Sequence, residues 1–269
     1  MRLRCRSLVG ALIVLTLYVQ TSAQQGPAPK DPQAVSILTQ TLAVARGTTA
    51  VTPINDYTAT GTITYHWNSE VEGSVTVRGL GLDQIRVDAN LPRGVRSWIT
   101  SNGQTTIKSE LGAVWEYPPP HPIPTSDIFP YQPSMFPASL ALPHLQLPSV
   151  LNDPHVSLSY KGIVQVDGRS AHDIRAQRLF VGQSQADRMA EYRIIEFFVD
   201  SSTLQLLMAQ DNIPKHIVHK LRYSNYKKLN GVLVPSSIAE EMGGQKTWDM
   251  QISQTSFNTG LQDSAFTLP

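Results

Sequence analysis

Cysteine is all but missing from this chain: Cys5 is the only one in 269 residues, and it lies ahead of an apolar run rather than directly after it, where a lipid-modified cysteine would sit. Once the leader described below is removed no thiol remains. That excludes disulfides, thiol catalysis and cysteine metal sites, and leaves the hydrophobic core to hold the fold. Catalytic signatures are also missing, with no G-x-S-x-G, no H-E-x-x-H, no phosphate-cradling glycine loop and no dinucleotide fingerprint. Seven histidines are scattered. The only close pair, His216 and His219, stands three apart on a strand and points to opposite faces, so a shared metal is not expected. Asp167, Asp200 and Asp211 fall at expected turns, where bonding to their own backbone accounts for them, and Glu240-Glu241 closes a strand. Charge of one sign is lacking as well, with 22 basic against 21 acidic residues over the whole chain. A nucleic-acid binder would need a concentrated basic surface.

The N-terminus reads as an export signal over residues 1–23. Arg2, Arg4 and Arg6 form a positive region, Leu8 to Val19 an apolar run, and Thr21-Ser22-Ala23 a small-residue cleavage site. The alternative, a membrane anchor, needs about 20 apolar residues where this run has about a dozen. After a leader over 24–30, Asp31-Pro32 supplies an N-cap and a proline in the first turn. Ala34, Val35, Ile37, Leu38, Leu42, Ala43 and Val44 then recur at helical spacing up to Gly47.

Strands follow. Ile63, Tyr65 and Trp67 alternate with polar residues, as do Val75 and Val77, then Ile85, Val87 and Ala89, so one face of a meander is apolar and the other wet. Val95 to Thr100, Thr105 to Glu110 and Ala113 to Tyr117 continue it, with a turn signal at Asn102-Gly103 and with Trp98 and Trp115 in strands where aromatic residues are more often core than ligand contacts. Between Pro118 and Pro154 the chain changes character, with 11 of its 19 prolines in 37 residues. Prolines this dense forbid central strands and long helices, yet the apolar residues among them make the stretch too greasy for a solvated linker. Either a lid over a binding site or a strap that plugs the core permanently fits such a segment. Ser134 is placed to cap a short helix through Leu142, with another turn after Pro143.

Hairpins resume beyond it. Val156 to Val166 and Ser170 to Phe180 turn at Asp167-Gly168; Tyr192 to Val199 and Thr203 to Gln210 turn at Asp200-Ser201-Ser202; Ile217 to Tyr226 and Val232 to Glu240 turn at Asn230-Gly231; Thr247 to Phe257 follows Gly243-Gly244. The expected fold is mainly β, an antiparallel sheet of about 11 to 13 strands, with no helical segments between strands to support a parallel sheet. Lys220, Arg222 and Lys228 share the wet face of one strand.

Residues 162–176 (GIVQVDGRSAHDIRA), 197–206 (FFVDSSTLQL), 223–238 (YSNYKKLNGVLVPSSI) and 263–269 (DSAFTLP), taken in order after an amphipathic helix and a strand meander, resemble the outer-membrane lipoprotein-sorting (LolA-like) superfamily of exported bacterial proteins. The resemblance implies one half-barrel domain over residues 31–269, a curved antiparallel sheet around an apolar hollow, with the N-terminal helix and a proline-rich helical lid (118–154) across its opening. It also implies a periplasmic or secreted binder or carrier of lipids or lipid-modified proteins, without cofactor, metal, catalysis or nucleic acid, and with no membrane span after signal cleavage. The proline-rich lid departs from the family pattern, and no polar residue for ligand release is carried over. On this reading Ile63, Tyr65, Trp67, Val75, Val77, Ile85, Val87 and Trp98 line the hollow, and Met135, Phe136, Leu140 and Leu142 close it. The second reading is a non-enzymatic cell-envelope interaction domain whose hollow is filled by its own side chains and whose outer surface binds a protein partner. A third, a secreted hydrolase, lacks a nucleophile and base pair.

Overall fold

The computed structural model describes residues 27–46, 53–66, 69–101, 104–117, 139–178, 194–213 and 217–268. The signal over 1–23, the turn at Asn102-Gly103, the cap at Ser134, and Trp67, Met135, Phe136 and His216 lie outside them.

Helix α1 (Pro32–Arg46) starts where the sequence places it. The Asp31 carboxylate accepts hydrogen bonds from the backbone N–H groups of Gln33 (2.8 Å) and Ala34 (3.2 Å), satisfying two donors that a helix N-terminus leaves open. Ala34, Ile37, Leu38 and Thr41 form its buried stripe. Among the described residues thirteen strands follow: β1 (Asp56–His66), β2 (Glu70–Leu80), β3 (Gln84–Leu91), β4 (Gly94–Ser101), β5 (Gln104–Lys108), β6 (Val114–Tyr117), then β7 (Val156–Val166), β8 (Arg169–Arg178), β9 (Ile194–Asp200), β10 (Leu206–Ile213), β11 (Ile217–Leu229), β12 (Val232–Met242) and β13 (Gln245–Phe257). Between the two runs lie a 3-10 turn at Pro143–Gln146 and the short helix α2 (Leu147–Asn152).

All thirteen strands join one open, curved antiparallel sheet, ordered β6-β5-β4-β3-β2-β1-β13-β12-β11-β10-β9-β8-β7. Each strand pairs with its sequence neighbour except at the centre, where β1 meets β13 and welds the two meanders. Local turn chemistry makes the rest. Asp167-Gly168 and Asn230-Gly231 take the left-handed conformations that a tight hairpin demands, with φ of 50° and 76°, and of 49° and 87°. At Asp200 the side-chain oxygen gathers the backbone N–H groups of Ser202 (3.0 Å) and Thr203 (2.7 Å) and both hydroxyls. The weld itself has a bulge between Thr60 and Gly61, where a Cβ on Gly61 would sit 1.9 Å from the Gln251 carbonyl oxygen. Only glycine admits so close a strand.

The described segments before α1 and after β13 are both pinned to the sheet. Residues 28–31 run beside β7, with Asp31 N–H donating to the Leu158 carbonyl (3.0 Å) and Leu158 N–H to that of Pro29 (3.0 Å). At the other terminus, Arg86 on β3 holds the carbonyls of Ala265 (3.1 Å) and Thr267 (2.8 Å), and the Asp56 carboxylate accepts from Thr259 and Gly260.

Candidate functional site

Register fixes which side chains share the sheet's apolar face. Ala59, Val77, Val87 and Trp98 are successive cross-strand partners over β1 to β4, and Ile63 faces Met250 across the β1–β13 weld. Ile63, Val75, Val77, Ile85 and Val87 are almost fully buried, Tyr65 nearly so, and Trp98 is half-buried against the same cluster. Seven of the eight expected lining residues thus lie in one contiguous core. Trp67 is outside the described residues.

The cover of this face is α1 together with a strap over residues 139–152. Leu140, Ala141, Leu142, Leu147 and Val150 from the strap join Ala34, Ile37 and Leu38 of α1 in the core that the sheet residues form. Among the described residues the strap's backbone–backbone bonds are local, from Leu145 N–H to the Leu142 carbonyl (3.0 Å) and from Asp153 N–H, just beyond it, to that of Ser149 (2.9 Å), while the buried Tyr57 hydroxyl of β1 shares a hydrogen bond with the Ala141 backbone. Its C-terminal end is tied by the Lys30 ammonium, which donates to the carbonyls of Val150 (3.1 Å) and Leu151, a cation at a helix C-terminus. Among the described residues the apolar face is therefore covered by side-chain packing against helical pieces, not by a second sheet.

Two features depart from the sequence expectation. Trp115, expected in the core, is 46% exposed. It sits on the outermost strand β6 opposite Ile107, beyond the described cover. Asp211, expected at a turn, lies within β10, and its side chain reaches across to β11. There His219 is held on both ring nitrogens, Nδ1 2.6 Å from Asp211 Oδ1 and Nε2 3.1 Å from Glu240 Oε1 of β12, while Glu240 Oε2 accepts from the Thr247 hydroxyl. His219 and Glu240 are both buried. Burial alone would push this imidazolium towards neutrality, but the hydrogen bonds and charges of Asp211 and Glu240 outweigh it and hold the pKa up at about 10. The alternation His219, Leu221, Tyr223 carries a hint of this, because it puts His219 on the same face as two core residues.

Polarity also enters the apolar face at Tyr65, whose ring lies 5.3 Å below the Arg96 guanidinium. Burial pushes the Tyr65 hydroxyl up to about 12, against the pull of Arg96 and with the help of Glu240 and Glu110. On the opposite face, Lys220 pairs with Glu241 (3.4 Å), and Arg222 with Asp167 (2.8 Å) and Glu241 (3.3 Å), so these cations are engaged by acids of the same surface. Among the described residues, no group of three or more His, Cys, Asp or Glu is placed to hold a metal ion. No described helix is long and apolar enough to cross a membrane.

Two small cavities lie beneath the described part of the cover. A cavity of about 20 Å³ lies between Ser139, Gln146, His219 and Tyr223, and another of about 20 Å³ between Thr41, Pro143 and Tyr226. Each is about the size of a water molecule. A much larger cleft, about 690 Å³, opens at the end of the hollow, where Arg46 of α1, the β2–β3 turn and the strap residues His144, Leu145 and Pro148 meet.

An open curved sheet with helical pieces across its apolar face is a LolA-like fold. Similar solved structures include a domain from Vibrio parahaemolyticus named for outer-membrane lipoprotein sorting (TM-score 0.52, 12% identity, covering 87% of this chain and 96% of that one). They also include a DUF1329 family protein from Desulfovibrio piger (0.54, 12%, 89% and 98%) and a LolA superfamily protein from Nitrosomonas europaea (0.53, 12%, 87% and 97%). At this identity the likeness is one of fold. No family model matches the chain, and no curated protein matches it.

Proposed function

We propose that the protein binds lipids, lipid-modified proteins or other long apolar molecules in the half-barrel hollow, and carries them outside the cytoplasm after residues 1–23 are removed. The observation that supports this most is the nature of the cover: Leu140, Leu142, Leu147 and Val150 are buried on the sheet, yet among the described residues they belong to a strap with no backbone–backbone hydrogen bond to a strand. Such a cover exchanges for a ligand without breaking the sheet's ladder. Ile63, Tyr65, Val75, Val77, Ile85, Val87 and Trp98, with Trp67, are then the ligand-lining residues, and Leu140 and Leu142, with Met135 and Phe136, the lid. An acyl chain of about fifteen carbons sequestered there is worth roughly 12 kcal/mol gross, against which the lost strap packing must be set.

Native mass spectrometry and uptake of a fluorescent fatty acid by the purified mature protein test the reading. Bound apolar molecules and saturable uptake are expected. Leu142→Cys, in a chain whose other cysteine lies in the leader, adds a direct measure: thiol labelling at this buried position is expected to accelerate when ligand is added. No bound molecule, no uptake and unchanged labelling would overturn it. One observation favours the second reading, an envelope interaction domain filled by its own side chains. The cavities of about 20 Å³ beneath the cover hold no ligand as they stand, since ligand pockets run from about 300 to 1,000 Å³.

A further inference from the structure

The large cleft at the end of the hollow is built differently from the rest of that face. Ile54, Leu82 and Leu145 give it an apolar floor continuous with the core. Its other walls carry Arg46, Asp83, Gln84, His144 and Asp263. His144 is 4% exposed, and its Nε2 is buried with no hydrogen-bond partner. Gln84 donates its amide N–H to Asp263 Oδ1 (3.1 Å), while its Oε1 is likewise buried without a partner. Buried polar atoms are nearly always satisfied, so two orphans on residues that line one cleft mark a place where a ligand, by displacing the side chains that cover them, supplies the missing bonds. Burial and the nearby positive charge of Arg46 push the His144 pKa down to about 4, so the ring is neutral at physiological pH and one of its nitrogens can accept.

The charges around the orphans select the ligand. One guanidinium, Arg46, stands at the end of α1, and two carboxylates, Asp83 and Asp263, stand on the β2–β3 turn and the C-terminal 3-10 turn; all three are exposed. A purely anionic group meets two like charges there, and a purely cationic one meets Arg46. We infer that the cleft is a headgroup site for a zwitterionic amphiphile of the phosphoethanolamine kind. Its phosphate pairs with Arg46, the three N–H groups of its ammonium donate to Asp83, Asp263 and Gln84 Oε1, a phosphate or ester oxygen accepts from His144 Nε2 in the tautomer that carries the proton there, and its chains lead over Ile54, Leu82 and Leu145 towards the core. This rests on the lipid-binding reading and narrows it, because His144 and Leu145 belong to the strap and the headgroup is recognised where the cover itself ends.

The test compares phosphatidylethanolamine, phosphatidylglycerol and a free fatty acid of matched chain length, all below micelle-forming concentration, with glycerophosphoethanolamine as a chain-free probe followed by chemical-shift changes at Arg46 and Leu82. Phosphatidylethanolamine is expected to bind at least tenfold more tightly than the other two. Arg46→Gln and Asp83→Asn, both at exposed positions, are expected to remove most of that preference, with unchanged thermal melts showing that the fold is intact. Equal affinity for the three lipids, or a preference untouched by both substitutions, overturns the headgroup site and leaves the lipid-binding reading standing. Binding of the chain-free probe at the cleft without binding of any lipid supports the site and overturns the lipid-binding reading. Failure of all four ligands overturns both.

Discussion

The imidazolium of His219 makes the stability of this fold depend on pH in a defined window. Its folded pKa of about 10 lies above the ordinary value of 6.5. A raised pKa means that the stabilisation is fully present below pH 6.5 and is lost as pH rises towards 10. Each pH unit inside that window removes at most about 1.4 kcal/mol, so from pH 7 to pH 9 the loss is up to about 3 kcal/mol. For a domain of this size that lowers Tm by roughly 6–12 °C. Lys30, whose pKa burial lowers against the pull of Asp153, titrates in the opposite sense, so the diagnostic quantity is the difference from a His219→Gln variant. That variant leaves Asp211 and Glu240 without their shared cation and is expected to cost about 3–5 kcal/mol at pH 7, and to lose the steep fall between pH 7 and pH 9. Thermal melts across pH 6 to 10 on both proteins provide the assay. Should the variant not fold, an NMR titration of the His219 ring in the unmodified protein reads the same pKa. A wild-type Tm that stays flat from pH 7 to pH 9, or a ring that titrates near 6.5, would refute the reasoning.

Three smaller predictions follow from single contacts. Asp31→Ala removes the acceptor for two N–H groups at the start of α1 and is expected to cost about 1 kcal/mol in urea unfolding. Gly61→Ala forces a Cβ against the Gln251 carbonyl at the weld, and is expected to lower Tm more than the same change at Gly112, where the cost is only that of a side chain at a φ of 88° with nothing within 4 Å. At Asp200, burial pushes the carboxyl up, but hydrogen bonds from Ser202 and Thr203 outweigh it and hold its pKa at about 2. Its contribution is therefore present above pH 3.8 and lost as pH falls towards 2, so Asp200→Asn is expected to flatten the acid limb of the stability curve.

The parts of the fold legible in the sequence are those decided within a few residues. The cap at Asp31, the αL pair at Asn230-Gly231, the Asp200 turn and the alternation of Val75 with Val77 all follow from local sterics and a period of two. What escaped depends on partners far along the chain. The β1–β13 weld joins residues nearly two hundred positions apart, and no local signal at Thr60-Gly61 announces that Gln254 will face Thr60 and, across a bulge, Ile252 will face Gly61. Asp211 has the composition of a turn residue, and only the pairing of β10 with β11 sets it opposite His219. As a strand aromatic Trp115 is expected in the core, but its place on a strand does not say how far the cover extends. Nor is the end cleft visible in any stretch, because Arg46, Gln84, His144 and Asp263 come from four separate elements.

The two functional readings differ over one free energy, that of lifting the strap, and Leu142 gives access to it. The side chain is fully buried, so Leu142→Ala is expected to destabilise the closed form by about 2–5 kcal/mol. If the hollow is permanently filled, that loss appears only as lower stability against urea. If a ligand replaces the strap, the ligand binds a form in which Leu142 has already left the core, and the substitution costs that form little. The lost packing then reappears as tighter binding, because a ligand's apparent affinity is reduced by the rarity of the state it binds. Since about 1.4 kcal/mol corresponds to a factor of ten, even half of the smaller estimate implies a severalfold gain in fatty-acid affinity. Stability falling while affinity rises would be the signature of a removable cover, and stability falling with affinity unchanged would mark a plug.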